Sequence, residues 1–308
     1  MESWRKSLGV FSVLTSISGG WLLLFFLVPL LIIWFYSFGE NVTRVDIAIT
    51  WTLSNYQRIF DPAIMTLFWR SLWIAGITTI ICLIVGFPVA LVIATAPSKW
   101  KPWLLLVIIL PFWTNLLIRT YALLNILGAR GRLNDVFRWI WEKCNALLNL
   151  VGLEQYALLG DRFVPVKFLG SQLGVVYGMV YIFLPFAVLP IYSALERLDK
   201  SYLEASLDLG HGQIGTFFRV LVPLSMSGII AAAIITFIPA LGQFLTPDLL
   251  GRGQVDMLAN VIERQFKKAN DWPFGSALSL FLLYLTFIIL AAKSLLELSA
   301  AKKREKKA

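Results

Sequence analysis

One histidine and two cysteines in 308 residues leave little for metal or thiol chemistry. His211 has no cysteine and no second histidine near it, so it reads as a solvent-facing loop residue rather than a ligand. Cys82 falls inside a long apolar run and Cys144 in a polar connection, so no disulfide framework is implied. No Gly-Lys pair occurs anywhere, which excludes a Walker A phosphate loop. Charge is scarce too. Asp, Glu, Lys and Arg make up 15% of the chain, where a soluble domain carries about 25%. An enzyme working inside a bilayer needs a nucleophile–base pair or a ligand cluster there, and the sequence offers neither.

What is present is apolar, at 58% of residues. Six runs are long enough to cross a hydrocarbon core, at about 21–38, 71–96, 103–127, 171–195, 224–246 and 275–296. The predicted fold class is therefore all-α, a polytopic membrane protein with six transmembrane helices in one transmembrane domain, 21–296. Residues 1–20 carry Arg5 and Lys6 but no A-x-A cleavage site, so an uncleaved N-terminus is expected. Gly128–Gly170 is the longest connection. Its VFRWIWEKCNALLNLVG stretch has helical spacing but is too short and too charged to span, and it suits an interface or an outer mouth. The net charge of +9 owes much to the tail at 297–308, ending AKKREKKA, which suits anionic lipid. No nucleic-acid motif accompanies the basic residues. Basic residues divide evenly between the two sides, so the positive-inside rule favours a cytoplasmic N-terminus only through their higher density in the shorter inner segments.

One polar stretch between two apolar runs is organised, SYLEASLDLGHGQIGTFFRVLVP from Ser201 to Pro223. Ser201 and Glu204 have capping-box spacing. Leu203 and Leu207 lie four apart on one helical face, beside Tyr202 and Ala205. Gly210 stands where a left-handed cap would end the helix. A second short helix is expected over 213–220, with Phe217 and Phe218 apolar and Pro223 as its stop. Such a displayed amphipathic helix suits a groove on a partner.

The predicted spans contain no Asp or Glu, yet they are rich in aromatics. Trp34, Trp73, Trp113, Tyr121, Tyr177 and Tyr181 are candidates for lining a path, with Asp248 the carboxylate nearest a span on the outer side. Interfacial belts and ordinary packing account for most such aromatics. Asp256, Glu263 and Asp271 follow Asp248, as an outer mouth, a docking surface, or, for Asp271-Trp272-Pro273, a plain helix start. Arg119 sits 16 residues into the third span and is expected to be a structural anchor on carbonyls or a neighbouring acid.

Glu204, Ala205, Ser206, Gly210, Val220, Val222 and Pro223 together resemble the EAA loop of ABC-transporter membrane subunits, with Ser206 in place of the second alanine. LPFWTNLLIRTYALLNIL, over 110–127, and TPDLLGRGQVDMLANVIERQFKKANDWPFGSALS, over 246–279, resemble spermidine/putrescine permeases, most of all the first subunit of the pair. The resemblance implies a type I ABC importer permease fold. It makes 197–223 the coupling loop, with Ser201, Leu203, Glu204, Ala205, Leu207, Gly210, Phe217 and Pro223 set against an ATPase. It further implies a non-enzymatic subunit of a bacterial inner membrane with both termini cytoplasmic. Its partners would be an ABC ATPase dimer that binds ATP and Mg, a second homologous permease and an extracytoplasmic polyamine-binding protein. The chain itself would hold no cofactor. A related importer for thiamine, iron, an opine or an anion stays open. A stand-alone secondary transporter fits less well, because such proteins carry mid-membrane ionisable groups.

Overall fold

The computed structural model describes residues 8–43, 46–150, 162–199 and 201–305. Arg5 and Lys6, the last tail residues 306–308 and the basic side chains of the tail lie outside the described positions. The chain forms two compact units, Met1–Thr66 with Val261–Ala308, and Leu67–Asn260.

In the first unit, α1 (Leu8–Leu22), a π-helical turn (Leu23–Leu27) and α2 (Val28–Ser37) run as one apolar rod. A two-stranded hairpin follows, β1 (Gly39–Asn41) antiparallel to β2 (Ile47–Ile49), with Gly39 opposite Ile49. Then come α3 (Ser54–Ile59) and the start of α4 (Pro62–Thr95). Asn55, almost fully buried, donates to the carbonyls of Ser37 and Gly39 and closes the polar ends left by α2 and β1. The long final helix α15 (Trp272–Glu305) packs on α2. Asp271 fixes its start. One carboxylate oxygen accepts from the Phe274 N–H and from Asn41, and the other takes Arg58 Nη2 at 3.0 Å. The helix-start role for Asp271 is the one observed.

In the second unit, α4 continues to Thr95, followed by α5 (Lys101–Trp113), α6 (Leu116–Leu127), α7 (Arg132–Leu150) and α8 (Gln172–Glu196). Beyond these lie α9 (Ser201–Asp208), α10 (Gln213–Thr216), a π-helical turn (Phe217–Leu221) and α11 (Val222–Leu224). Next come α12 (Met226–Leu241) and α13 (Leu245–Gly251). The last is α14 (Leu258–Arg264), whose end belongs to the first unit. The densest packing is α8 against α12. A Cβ at Gly228 would meet the Ala194 side chain and stand 2.9 Å from the Pro190 carbonyl, so only glycine lets the two backbones approach this closely.

Among the described residues, four helices are long and apolar enough to cross a membrane: Thr15–Ser37, Pro62–Thr95, Gln172–Glu196 and Trp272–Ser294. Two bent pairs raise the number to as many as six. The expected single helix over 103–127 is broken, with a 93° bend between Lys101–Trp113 and the helices that begin at Leu116. Pro111 denies α5 one backbone donor, Thr114 is extended, and the Asn115 side chain accepts from the Leu117 N–H, starting a new helix mid-run. The expected helix over 224–246 is likewise shorter, because Ser225 kinks the chain and Gly242 ends it. Pro223 does not stop the helix before it. The π-helical turn ahead of Pro223 spreads the backbone, and the chain turns at Ser225 instead, whose N–H and hydroxyl both donate to the Leu221 carbonyl.

Candidate functional site

Residues 196–225 form a short helical hairpin between α8 and α12. Its entrance is capped two residues earlier than the sequence spacing suggests. Ser201 is the first helical residue, and Asp199 Oδ1 accepts from the Ser201 N–H at 3.0 Å, so Asp199 does the capping expected of Ser201. That bond favours the ionised form and holds the Asp199 carboxyl below its usual range.

The far end of α9 is a Schellman turn. His211 N–H bonds the Ser206 carbonyl and Gly210 N–H bonds the Leu207 carbonyl, with Gly210 at φ +84°. The turn folds α10 back beside α9, and two side-chain ties hold it. Ser206 and Thr216, both buried, share a hydroxyl–hydroxyl bond at 3.0 Å. Arg219 Nη1 lies 3.1 Å from His211 Nε2. Arginine can only donate, so Nε2 is the acceptor in this bond.

The hairpin is anchored to the spans on its inner side. Phe217 meets Phe87 of α4 edge-on at 5.3 Å, next to Pro88. Lys101 Nζ reaches both carboxylate oxygens of Glu196 at 2.7 Å, tying the start of α5 to the end of α8. On the other side it is bare. Tyr202, Leu207, Leu209, Ile214 and Phe218 are all exposed, Leu209 at 80% and Ile214 at 77%. Apolar side chains held that far out on one edge form a patch of the kind that marks a protein or membrane contact.

Of the sequence-picked residues, Leu203 is half-buried, while Glu204, Ala205, Leu207 and Pro223 face outward on this hairpin. Leu209 and Ile214 were missed. Both lie in or beside the Gly-rich turn, where helical periodicity stops and so gives no signal. The aromatic candidates do not form one cluster. Trp34 belongs to the first unit and packs against Phe35, Phe38 and Trp51. In the second unit Tyr177 and Tyr181 share an exposed face of α8, and Trp73 is exposed on α4. Trp113 lines an apolar groove of about 270 Å³ with Phe112 and Phe186. Tyr121 on α6 and Asp248 on α13 are exposed. Arg119 is buried at the α5–α6 corner, where its Nη2 donates to the Thr114 carbonyl at 3.0 Å, with the Phe112 carbonyl more distant at 3.5 Å. No cluster of three or more metal-binding side chains exists among the described residues.

Residues 7–302 match the family described as "Binding-protein-dependent transport system inner membrane component". The chain is 39% identical over 274 residues to the spermidine/putrescine transport system permease protein PotB of Haemophilus influenzae, covering 88% of each chain. It is 40% identical to PotB of Escherichia coli, over 85% of this chain and 88% of that one. It is 32% identical to the inner membrane ABC transporter permease protein YdcU of Escherichia coli, over 82% of this chain and 80% of that one. Among solved structures, a bacterial ABC transporter that imports the acidic polysaccharide alginate shares the fold. The TM-score is 0.68 at 14% identity, covering 96% of this chain and 98% of the other.

Proposed function

Because this chain belongs to the family of binding-protein-dependent transport system inner membrane components, we propose that it is a permease subunit of an ATP-driven importer of spermidine and putrescine. The observation that carries the reading is the bare apolar edge of the 201–218 hairpin, held by a rigid turn on the ends of two spans. A chain without a phosphate loop of its own needs a mechanical link to an ATPase, and this edge supplies one. The ATPase dimer, with its ATP and Mg, lies on the cytoplasmic side, as do both termini. A second permease completes the pathway and an extracytoplasmic receptor delivers cargo.

In this reading, closure of the ATPase dimer pushes on Tyr202, Leu207 and Ile214. The rigid hairpin passes the displacement to α4 through Phe217 and Phe87, and to α8 and α5 through Glu196 and Lys101. Glu204, Ala205 and Leu203 complete the contact surface, and Gly210 and Pro223 set its geometry. Access to the pathway alternates as the spans shift. No carboxylate occurs within 63–95, 102–127, 172–195 or 226–241. Weak cation–π contacts, each on the order of 0.5–2 kcal/mol, are then the means by which Trp73, Trp113, Tyr121, Tyr177 and Tyr181 pass a polycation without trapping it.

The test is uptake of radiolabelled putrescine by proteoliposomes holding both permeases and the ATPase, with receptor outside and ATP inside. Uptake that requires all four supports the reading. Putrescine transport by this chain alone without ATP overturns the machinery. Uptake competed by thiamine or an opine but not by spermidine overturns the cargo.

A further inference from the structure

At the end of α8 remote from the hairpin lies a cavity of about 510 Å³, walled by Leu124, Leu127, Pro165 and Phe168, with Lys167 and Arg252 on its lining. The cavity is built rather than incidental. Asn134, fully buried, donates to the Gly128 and Val166 carbonyls and accepts from the Val166 N–H. Gly170 N–H bonds the Leu250 carbonyl at 2.8 Å, and Phe168 stacks on Phe137 of α7. Those contacts hold the 165–170 segment against α7 and α13, so the walls stand without an occupant.

Its charge is one-sided. Lys167 and Arg252 are exposed, and neither has a carboxylate partner among the described residues. Arg252 also sits at φ +48°. There it ends α13 as a left-handed cap, which fixes where its side chain leaves the helix.

Two cations with no carboxylate partner among the described residues repel a polycation, which argues against a cargo site. α8 is 25 residues long, about 37 Å at 1.5 Å per residue, which places the cavity across the membrane from the hairpin. We infer that this cavity receives acidic side chains of the extracytoplasmic receptor and fixes its register on the permease. The inference rests on the transport reading above and adds a surface to it. Complementary charge at such a rim speeds encounter and sets orientation more than it adds affinity.

The test uses the whole transporter in nanodiscs, with receptor-stimulated ATPase measured against receptor concentration. Lys167→Glu with Arg252→Glu raises the half-saturating receptor concentration on the order of tenfold and leaves the unstimulated rate unchanged. Lys167→Gln with Arg252→Gln gives a smaller shift and flattens the salt dependence seen in the parent. An unchanged half-saturation in the assembled reversal variant overturns the inference alone. A shift seen only in discs containing anionic lipid also overturns it, and assigns the cavity to a headgroup. A parent complex that receptor does not stimulate overturns the transport reading and the inference together.

Discussion

Ser206 is buried and bonded to Thr216, so its hydroxyl has a consequence that its alanine-like size hides. Ser206→Ala leaves the Thr216 hydroxyl buried without its partner, which costs about 1–3 kcal/mol. Thr216→Val then removes the stranded hydroxyl at nearly constant shape. The expected result is that Ser206→Ala lowers thermal stability and transport per ATP hydrolysed, and that Ser206→Ala with Thr216→Val recovers most of both. A double variant no better than the single one would show that the bond is incidental. Gly210 is the complementary case. A Cβ there meets nothing within 4 Å, so any cost of substitution comes from φ +84° alone. Gly210→Ala is expected to cost about 1 kcal/mol and to loosen coupling, and Gly210→Asn less, since Asn tolerates the left-handed region. Uptake and ATPase rates measured on the same preparation check both. Sequence spacing identified Gly210 because left-handed caps favour one residue. It said nothing of Ser206–Thr216, because a bond across a turn leaves no periodic trace.

The hairpin and the α5–α6 corner are where whole elements depend on one side chain. Asp199 caps α9 more strongly when ionised, because a carboxylate accepts better than a neutral carboxyl. Its folded-state pKa lies below the unfolded value, so the cap contributes fully above that value, near 3.8, and is lost as pH falls through the folded one. Acidification below that range should therefore fray α9 in the parent, read as faster proteolysis after Tyr202 or Leu207. Asp199→Asn, whose amide oxygen accepts at any pH, should show no such step. Arg119 fills the same role at the corner, laying its guanidinium on the carbonyl end of α5, where the helix dipole is negative. Arg119→Ala strands that carbonyl and should cost about 1.5–3 kcal/mol of stability, with Arg119→Lys between. A raised half-saturating putrescine concentration with unaltered thermal stability would instead mark Arg119 as a cargo contact. The corner was partly legible. Thr114-Asn115 is a helix-start signal inside an apolar run, but hydropathy averaged over 103–127 runs straight through it. Apolar length locates a span without telling a rod from an elbow.

For the molecule as a whole, apolar runs foretold the long helices to within a few residues at several ends, because lipid leaves the backbone no alternative to helix. The path was not legible, since aromatic side chains suit lipid, packing and a cation equally, and Trp34 proved to belong to an aromatic cluster. Sidedness is the property that every functional statement shares, and the chain carries its own reporter. Cys144 is exposed on α7 and Cys82 is buried, so a membrane-impermeant maleimide should label the unmodified protein at one position. In intact spheroplasts Cys144 should react. Leu209→Cys or Ile214→Cys, placed at the most exposed points of the hairpin in a Cys144→Ser background, should react only after the membrane is opened. The two patterns are opposite because α7 precedes α8 and the hairpin follows it, and a single span separates them. Labelling of both in intact spheroplasts would mean that α8 does not cross the membrane. A reversed pattern would put the hairpin outside the cell, out of reach of any ATPase.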